Sequence, residues 1–371
     1  MCFPLPMDNT EIKSHGIWHK YMSVKITTVT KQLPKYSRST VEIIPFLDTW
    51  LLDQEPRFIR KVKKIFEGAL VDKRYSIMDP IEVFAKTSFE ERNAIYVREV
   101  IDLGEKVLDK ALKKANWKPT DLDFIITVSC TGIMIPSLDA YLINALQLRQ
   151  DIFRLPVTEM GCAAGISGII YAKNFLKANP GKRAAVIAVE SPTATFQLDD
   201  FSMANIVSAA IFGDGAACVL ISSHEDDEGP EIMADEMYHF FDAIHMMGFN
   251  LTNSGLQMVL DVEVPEKIAV HFPDIIHPFL NNLNLKIEDV DYLIFHPGGK
   301  KIISTVEELF LGLGKNINDT KEVLRLYGNM SSATVLYVLE RILDTKPKKG
   351  EIGLMLSFGP GFSAQRILLK F

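Results

Sequence analysis

Apolar positions along this chain recur with two alternating patterns. Helix-length stretches with apolar residues every three to four positions are separated by short runs rich in Val, Ile, Leu and Phe. The first pattern predicts helices over 56–70, 89–115, 136–147, 163–177, 264–283, 300–312 and 331–343. The second predicts strands over 23–30, 123–129, 184–190, 216–222, 291–296, 352–357 and 364–370. Strands that alternate with helices are typical of an α/β protein.

Three blocks of sequence occur twice, in the same order. "DLDFIITVSCTG" (121–132) resembles "DVDYLIFHPGGK" (289–300) at an offset of 168, and "MGCAAGISGIIYAKNFL" (160–176) resembles "YGNMSSATVLYVLERIL" (327–343) at an offset of 167. "IFGDGAACVLIS" (211–222) resembles "SFGPGFSAQRILL" (357–369) at an offset of only 146, as expected if the first half carries an insertion. Ordered repetition predicts a duplicated α/β unit, with chance similarity between α/β segments as the alternative.

The repeat divides the chain and brings distant residues together. A polar, turn-rich segment, "SSHEDDEGPE" (222–231), separates the halves. We therefore expect an N-terminal arm at 1–21, a first half at 22–228 and a second half at 229–371. The repeat pairs Cys162 with Asn329, each between a glycine and a helix, and Val128 with His296, each at a strand end. Because equivalent loops of a duplicated fold converge near its pseudo-twofold axis, Cys162, His296 and Asn329 are expected to meet.

These three residues have reactive and unreactive interpretations. A thiol at a helix start is favoured as thiolate by the helix dipole, and a neighbouring imidazolium lowers its pKa further. The alternative for Cys162 is a small residue of the core. His296 ends an apolar strand and enters "PGGKK", where Gly298 and Gly299 allow the backbone to approach a ligand closely. Asn329 is either a helix N-cap or an amide that helps the histidine bind a thioester carbonyl.

Composition excludes several classes of function. The 371 residues are 47% hydrophobic and 23% charged, with a formal net charge of −7, which argues against a nucleic-acid partner. No apolar run reaches the length of about 18 residues that spans a membrane. The four cysteines, Cys2, Cys130, Cys162 and Cys218, have no paired spacing, which indicates neither a disulfide framework nor a metal site. Free cysteines favour a cytoplasmic location.

At the residues around Cys162 the chain resembles the type III polyketide synthases, the chalcone synthase-like branch of the thiolase superfamily. The resemblance covers about residue 22 to the C-terminus and looks closer to bacterial members than to plant ones. It rests on "MGCAAGISG", "FGDGAA" (212–217), "FHPGGKK" (295–301), "GNMSSATVLYVL" (328–339) and "FGPGFS" (358–363). It implies a thiolase-like five-layered αβαβα fold built from the duplicated unit.

The resemblance also implies a reaction. Cys162 takes an acyl group from a CoA thioester, and His296 and Asn329 hold the thioester carbonyl of malonyl-CoA. Loss of CO2 gives an enolate that these two donors stabilise, and the enolate attacks the Cys162 thioester. Phe212 corresponds to a gatekeeper phenylalanine between the CoA tunnel and the cavity. The enzyme is then an acyltransferase (EC 2.3.1 type) that needs no cofactor or metal beyond its acyl-CoA and malonyl-CoA substrates.

Further residues carry over from the family. Pro136 matches a loop proline that is often cis, and Ile135 would reach into the partner's cavity of a homodimer. The residues that match cavity-lining positions are Thr195, Met258, Ser331 and Cys130. Lys61 and Lys64, together with Gly298 and Gly299, match CoA-binding positions, with a solvated basic helix face as the alternative for the lysines.

The chain departs from the plant members at several of these positions. Gly68 replaces a third basic residue of the CoA site, Met258 a second phenylalanine, and Cys130 a threonine. Phe249 falls near a plant glycine. The cavity is therefore expected to be reshaped but apolar, which suits an aliphatic or an aromatic starter, and the product is open between pyrone, resorcinol and chalcone types.

Other functions remain open at this stage. Ketoacyl-acyl carrier protein synthase III also uses Cys, His and Asn, but performs a single condensation and needs a basic docking patch. Hydroxymethylglutaryl-CoA synthase would need a glutamate that is not evident. An inactive thiolase-like scaffold subunit is expected to have lost one of the three residues. A cysteine protease does not fit the duplicated fold.

Overall fold

The computed structural model describes residues 23–85, 87–311 and 314–371. The predicted arm at 1–21 and Cys2 lie outside the described residues. The strands are β1 (Lys25–Gln32), β2 (Tyr36–Ser39), β3 (Lys73–Ser76), β4 (Phe124–Val128), β5 (Phe153–Val157), β6 (Arg183–Glu190), β7 (Gly215–Ser222), β8 (Glu231–His239), β9 (Met247–Thr252), β10 (Gly255–Leu260), β11 (Tyr292–Phe295), β12 (Ile352–Gly359) and β13 (Ser363–Lys370). The helices are α1 (Thr40–Trp50), α2 (Pro56–Glu67), α3 (Pro80–Val83), α4 (Phe89–Ala115), α5 (Leu138–Ala145), α6 (Ala164–Ala178), α7 (Met203–Ile211), α8 (Val264–Asn281), α9 (Lys300–Leu311), α10 (Asn318–Tyr327) and α11 (Thr334–Asp344).

Every helix and strand that the periodicity predicts is present, some with shifted ends. The bounds of α4 match the prediction, because Ser88 and Glu91 form a capping box before it and Asn116 ends it in a left-handed conformation. The periodicity missed α1, α3, α7 and α10, and the strands β2, β3, β5, β8, β9 and β10. Helix α7, "MANIVSAAI", is apolar on most sides and has no clear helical period.

The large sheet shows the duplication directly. Its order is β11-β12-β13-β8-β1-β7-β6-β4-β5, so β4, β6, β7 and β1 mirror β11, β12, β13 and β8. Equivalent strand pairs in the two half-sheets also run in the same relative direction. Strands β4 and β6 are parallel, as are β11 and β12, whereas β6–β7 and β12–β13 are antiparallel. The half-sheets meet where β1 pairs with β8 at Lys25 and Glu231. The predicted duplication is confirmed.

The insertion predicted for the first half is also present. Residues 191–214, which include α7, connect β6 to β7, whereas only residues 360–362 connect β12 to β13. The difference between these connections accounts for the fall in the repeat offset from 167 to 146. The second half therefore has a tight hairpin where the first half has a helix-bearing segment.

Burial on alternate faces of the strands builds five layers. On β6, Ala185, Ile187 and Val189 pack with α4, whereas the residues between them pack with α6. On β12, Leu354 and Leu356 belong to the cluster that contains α8 and α9, and Met355 packs with α11. Helices α6 and α11 thus lie between the half-sheets, and α4, α5, α8 and α9 cover their outer faces. The expected αβαβα arrangement is confirmed.

Candidate active site

Cys162 lies in a one-turn 3-10 helix, Gly161–Ala163, that leads into α6. Gly161 has a φ of +49°, and a Cβ there would lie 2.5 Å from the Pro360 ring, so both the backbone and the space require glycine. The Cys162 carbonyl accepts a hydrogen bond from Ser357 Oγ at 2.7 Å. These contacts with the end of β12 fix the position of the thiol.

The twin turn in the second half comes within contact distance of the first. Residues Ser331–Ala333 form a 3-10 turn before α11, as Gly161–Ala163 does before α6. A Cβ at Gly165, in the first turn of α6, would lie 2.3 Å from the carbonyl oxygen of Ser332, so the start of α6 is in direct contact with the second 3-10 turn. The internal repeat therefore brings the cysteine and asparagine segments together.

Cys162, His296 and Asn329 line one cavity of about 680 Å³, here called the central cavity. The convergence expected from the repeat is present. Other predicted residues in its wall are Cys130, Phe212, Phe249, Met258, Ser331 and Gly298. Most of the wall is apolar, with Ile211, Leu260, Ile302 and Phe358 among its members.

Asn329 is oriented by hydrogen bonds to its side-chain oxygen. The Ser331 N–H donates to Asn329 Oδ1 at 2.9 Å. The Thr334 hydroxyl lies 3.3 Å from the same atom but only 3.0 Å from its other acceptor, Ser331 O. The Asn329 backbone is held as well, because its N–H donates to Ile211 O and its carbonyl accepts from Gly213 N. Since the oxygen already accepts from the Ser331 N–H, the NH2 group is the end available to a ligand.

Ser331 lies between two sulfur atoms. Its Oγ is 3.4 Å from Cys162 Sγ and 3.5 Å from Cys130 Sγ. The residue has a φ of +47°, which is uncommon for any residue other than glycine. The left-handed turn is therefore part of what places this hydroxyl at the thiol.

His296 follows β11 and is buried, with 3% of its surface exposed. Its backbone N–H donates to Leu356 O, and its carbonyl accepts from the Gly298 N–H, so the "HPGG" turn fixes it. Among the described residues neither ring nitrogen has a hydrogen-bond partner. Burial lowers the pKa of His296 to about 3, so the imidazole is neutral and offers one N–H and one lone pair.

Burial also controls the nucleophile. It raises the pKa of the Cys162 thiol to about 12, while the hydrogen bond with Ser331 acts in the opposite direction but more weakly. The expectation of a resting thiolate beside an imidazolium is therefore wrong. In this mainly apolar cavity, desolvation outweighs the effect of the helix start on Cys162, and it shifts the pKa of both groups in the direction that favours their neutral forms.

A buried carboxylate that the sequence analysis missed lies behind this site. Glu190 ends β6 and accepts hydrogen bonds from Cys130 N at 3.0 Å, Thr131 Oγ1 at 2.9 Å and the Ser332 hydroxyl. Burial raises its pKa although the hydrogen bonds oppose that rise. Glu190 thus joins the loop after β4 to the Ser331–Ala333 turn. The signal in the sequence was a lone acid at the end of the apolar run "AAVIAV".

Phe212 and Met258 separate the central cavity from a second one. This second cavity, of about 800 Å³, shares Pro192, Phe212 and Met258 with the central cavity and is here called the distal cavity. Thr195 lines the distal cavity and is not part of the central one. Phe212 lies in the wall between these two cavities. Its expected place at the opening towards CoA stays a prediction.

An open groove of about 1100 Å³ adjoins the central cavity and shares no lining residue with the distal cavity. It contains Lys64, Gly68, Lys300 and Lys301 and is here called the lysine groove. It shares Ile211, Leu260, Gly298 and Ile302 with the central cavity, and Gly299 also lines it. The expected CoA-site residue Lys61 is not in its wall. Lys300 Nζ lies 3.8 Å from the position of a Cβ on Gly68, so α9 supplies a cation where α2 lacks one.

Ile135 and Pro136 lie on the loop before α5, and the peptide bond between them is cis. Neither residue lines the three cavities of its own chain. Ile135 is 94% exposed.

Neither a metal-binding cluster nor a membrane-spanning helix is present among the described residues. The described residues contain no group of three His, Cys, Asp or Glu side chains arranged to hold a metal ion. Within the same ranges, none of the helices combines the length and apolar content that crossing a bilayer requires.

Comparison with known proteins identifies the family. Residues 28–225 match the model for chalcone and stilbene synthases, N-terminal domain, and residues 239–371 match the corresponding C-terminal domain. A 1,3,6,8-tetrahydroxynaphthalene synthase of Streptomyces peucetius is 33% identical over 300 residues, 79% of each chain. A phloroglucinol synthase of Pseudomonas fluorescens is 28% identical over 338 residues, 90% of this chain and 95% of the relative.

A solved structure agrees. The 1,3,6,8-tetrahydroxynaphthalene synthase of Streptomyces coelicolor, a bacterial type III polyketide synthase, superposes with a TM-score of 0.88 at 26% identity, over 94% of this chain and 99% of that one. The two family models together, and this structural likeness by itself, span both halves of the duplicated fold. The chain therefore belongs to the chalcone and stilbene synthase family and is a type III polyketide synthase, an acyltransferase.

Proposed function

We propose that Cys162 accepts the acyl group of a CoA thioester, and that His296 and Asn329 drive the decarboxylation of malonyl-CoA that extends it. The observation that carries this proposal is the central cavity, whose wall contains one thiol, one neutral imidazole and one amide with its oxygen already bonded. These are a nucleophile, a base and hydrogen-bond donors within one apolar enclosure.

In the loading step, Cys162 Sγ attacks the carbonyl carbon of the starter thioester. Because the thiol pKa is raised and the imidazole pKa is lowered, the proton moves to His296 as the carbon–sulfur bond forms, not before. The C–S bond to CoA then breaks, and the departing thiolate takes that proton. The starter remains on Cys162 as a thioester, and His296 is again neutral.

In the extension step, the malonyl thioester oxygen accepts hydrogen bonds from the His296 N–H and the Asn329 NH2 group. The carbon–carbon bond to the carboxylate breaks and CO2 leaves. The electron pair of that bond forms an enolate, whose oxygen these donors stabilise. The enolate carbon attacks the Cys162 thioester and displaces the sulfur. The apolar wall that includes Phe212 disfavours the malonyl carboxylate and so favours its loss.

CoA is expected to lie in the lysine groove. Lys64 and Lys300 provide cations for its phosphates, and Gly298 and Gly299 let the pantetheine arm pass close to the backbone towards Cys162. Lys61 does not take part in this arrangement. The thioester bond already activates the acyl group for transfer, so the proposed reaction needs no cofactor or metal.

We infer that the enzyme is a homodimer. Four of the exposed apolar side chains, Ile133, Ile135, Tyr141 and Phe153, lie between positions 133 and 153, and β5 is an edge strand of the sheet. A second copy that covers this surface would bring Ile135 towards its cavity. We also propose a location in the reducing cytoplasm, where the three described cysteines would stay free.

The test is to incubate the purified chain with malonyl-CoA and a panel of aromatic and aliphatic acyl-CoA starters. The proposal predicts release of CO2 and CoA and a product longer than the starter, detected by mass spectrometry. Release of neither from any starter, by a protein with a cooperative thermal transition, would make the chain an inactive scaffold and overturn the proposal.

A further inference from the structure

The distal cavity has a chemistry that the reaction steps above do not use. Its walls come from β2, β3, α3 and α7, and it meets the central cavity only at Pro192, Phe212 and Met258. Part of the lining is apolar, including Ile43, Val83, Phe84, Phe196 and Ala209. A group that passes between Phe212 and Met258 would enter the distal cavity from the central one.

A buried cation that has no acidic partner among the described residues lies in this wall. Arg74 on β3 is 7% exposed, and its guanidinium donates to Ala209 O at 2.7 Å and to Thr40 Oγ1 at 3.1 Å. It lies 5.6 Å from the centre of the Phe66 ring. Its Nε has no hydrogen-bond partner among the described residues. Burial of an unbalanced charge is costly, so this position favours an anion.

A second buried polar atom without a partner lies in the same wall. Ser208 Oγ on α7 is buried and makes no hydrogen bond within the described part of the chain. Ser208 directly precedes Ala209, whose carbonyl Arg74 binds, so both atoms belong to the contact between α7 and β3. A hydroxyl and a guanidinium N–H are both donors to an oxygen acceptor.

The hairpin adds a second positive charge. Arg38 lies directly opposite Arg74 in the β2–β3 pair and also lines the distal cavity. Its guanidinium has one acidic partner, Asp79, at 3.3 Å. Like charges opposite each other on a hairpin repel, and an anion between them would remove that cost. Asp79 therefore pairs with Arg38, whereas Arg74 has no ion-pair partner among the described residues.

We propose that the distal cavity binds the far end of the starter, and that this end carries a carboxylate held by Arg74 and Ser208. The substrate class is an aliphatic dicarboxylic acid activated as the CoA thioester at one end. Its methylene groups pass between Phe212 and Met258 and lie against the apolar lining. This assignment rests on the proposed function, since it takes Cys162 as the point of attachment.

The test compares starters matched in length. Adipyl-CoA is compared with hexanoyl-CoA and suberyl-CoA with octanoyl-CoA, each with malonyl-CoA, and kcat/KM is measured for each. The structure predicts a preference for the dicarboxylyl member of at least one pair. In the Arg74→Gln variant the ratio of suberyl to octanoyl kcat/KM falls by about tenfold or more, because a hydrogen bond to a charged group is lost. The exposed Arg60→Gln on α2 is the matched control and leaves the ratio unchanged.

Arg74 also supports the fold, so a second variant keeps the proposal falsifiable. Ser208→Ala removes one hydroxyl without creating a charge and is expected to lower the same ratio severalfold. Equal kcat/KM within both pairs, or a ratio that Ser208→Ala and Arg74→Gln leave unchanged, would overturn the carboxylate assignment. If the monocarboxylic starters are extended in that experiment, the proposed function stands without the carboxylate assignment. If no starter is extended, the proposed function itself fails.

Discussion

At the residue scale, Asn329 shows how a backbone turn selects one end of an amide. The positive φ of Ser331 directs its N–H to the Asn329 oxygen. In the proposed function, the amide nitrogen therefore requires no reorganisation before it binds the enolate oxygen. Preorganised donors of this kind contribute strongly in apolar sites.

Asn329→Ala is expected to lower the rate of malonyl-CoA decarboxylation by on the order of 100-fold, because one donor to the enolate oxygen is lost. His296→Ala is expected to have a similar effect. CO2 release without added starter isolates this step. Asn144→Ala, on exposed α5 surface, is the control. Wild-type decarboxylation by either site variant would show that these donors do not stabilise the enolate.

The raised pKa of Cys162 makes a prediction about pH. A thiol with a pKa near 12 has a thiolate fraction that still increases about tenfold per pH unit between pH 7 and 9. The alkylation rate of the Cys162 peptide by iodoacetamide, followed by mass spectrometry, should rise over that whole range. The same measurement in Cys130→Ser controls for the neighbouring sulfur. A rate that levels off below pH 7 would instead indicate a thiolate in the resting enzyme.

At the element scale, the contact between the two 3-10 turns places the site. Helices α6 and α11 start from equivalent turns in the two halves, and they pack side by side between the half-sheets. Gly165 permits that approach because it has no Cβ to meet Ser332 O. The nucleophile and the amide donor are therefore positioned by the same packing contact.

Gly165→Ala is expected to force these turns apart. Overpacking against a backbone carbonyl costs about 1–3 kcal/mol of the free energy of unfolding, which lowers the melting temperature. Condensation activity should also fall at temperatures where the variant is still folded, because the turns that hold Cys162 and Asn329 are displaced. Lys177→Ala, on the exposed side of α6, is the matched control and should change neither. An unchanged melting temperature together with full activity in Gly165→Ala would contradict the close contact.

The elements also show what the sequence predicts and what it does not. The repeat predicts that Cys162, His296 and Asn329 share a site, because equivalent loops of a duplicated fold are neighbours. Glu190 and Lys300 were not assigned roles, since their contacts join segments far apart in the chain and follow no period. The neutral state of Cys162 was not predicted because desolvation depends on the packed cavity wall rather than on the helix start.

At the scale of the whole molecule, three connected spaces separate the tasks of the reaction. The lysine groove, central cavity and distal cavity share walls in that order. Under the proposed function, a substrate that enters along the groove would meet Cys162 before it meets Phe212 and Met258. The distal cavity would then hold the far end of the starter.

The dimer is tested through Ile135. Ile135→Asp places a charge on the exposed apolar surface, which should weaken association of two chains of 41.7 kDa each. Light scattering after size exclusion should show a shift towards the single-chain mass. Leu52→Asp changes an equally apolar exposed residue near the end of α1 and should leave the mass at twice that value. A wild-type chain that elutes at the single-chain mass at micromolar concentration would contradict the homodimer.

The central claim is that Cys162 carries the growing acyl chain. It is tested most directly by mixing the enzyme with an acyl-CoA starter, quenching in acid, and mapping the acyl mass by peptide mass spectrometry. We predict the added mass on the peptide that contains Cys162, its absence in Cys162→Ala, and its presence in Cys130→Ser. An acyl mass on another residue, or one that persists in Cys162→Ala, would contradict the account.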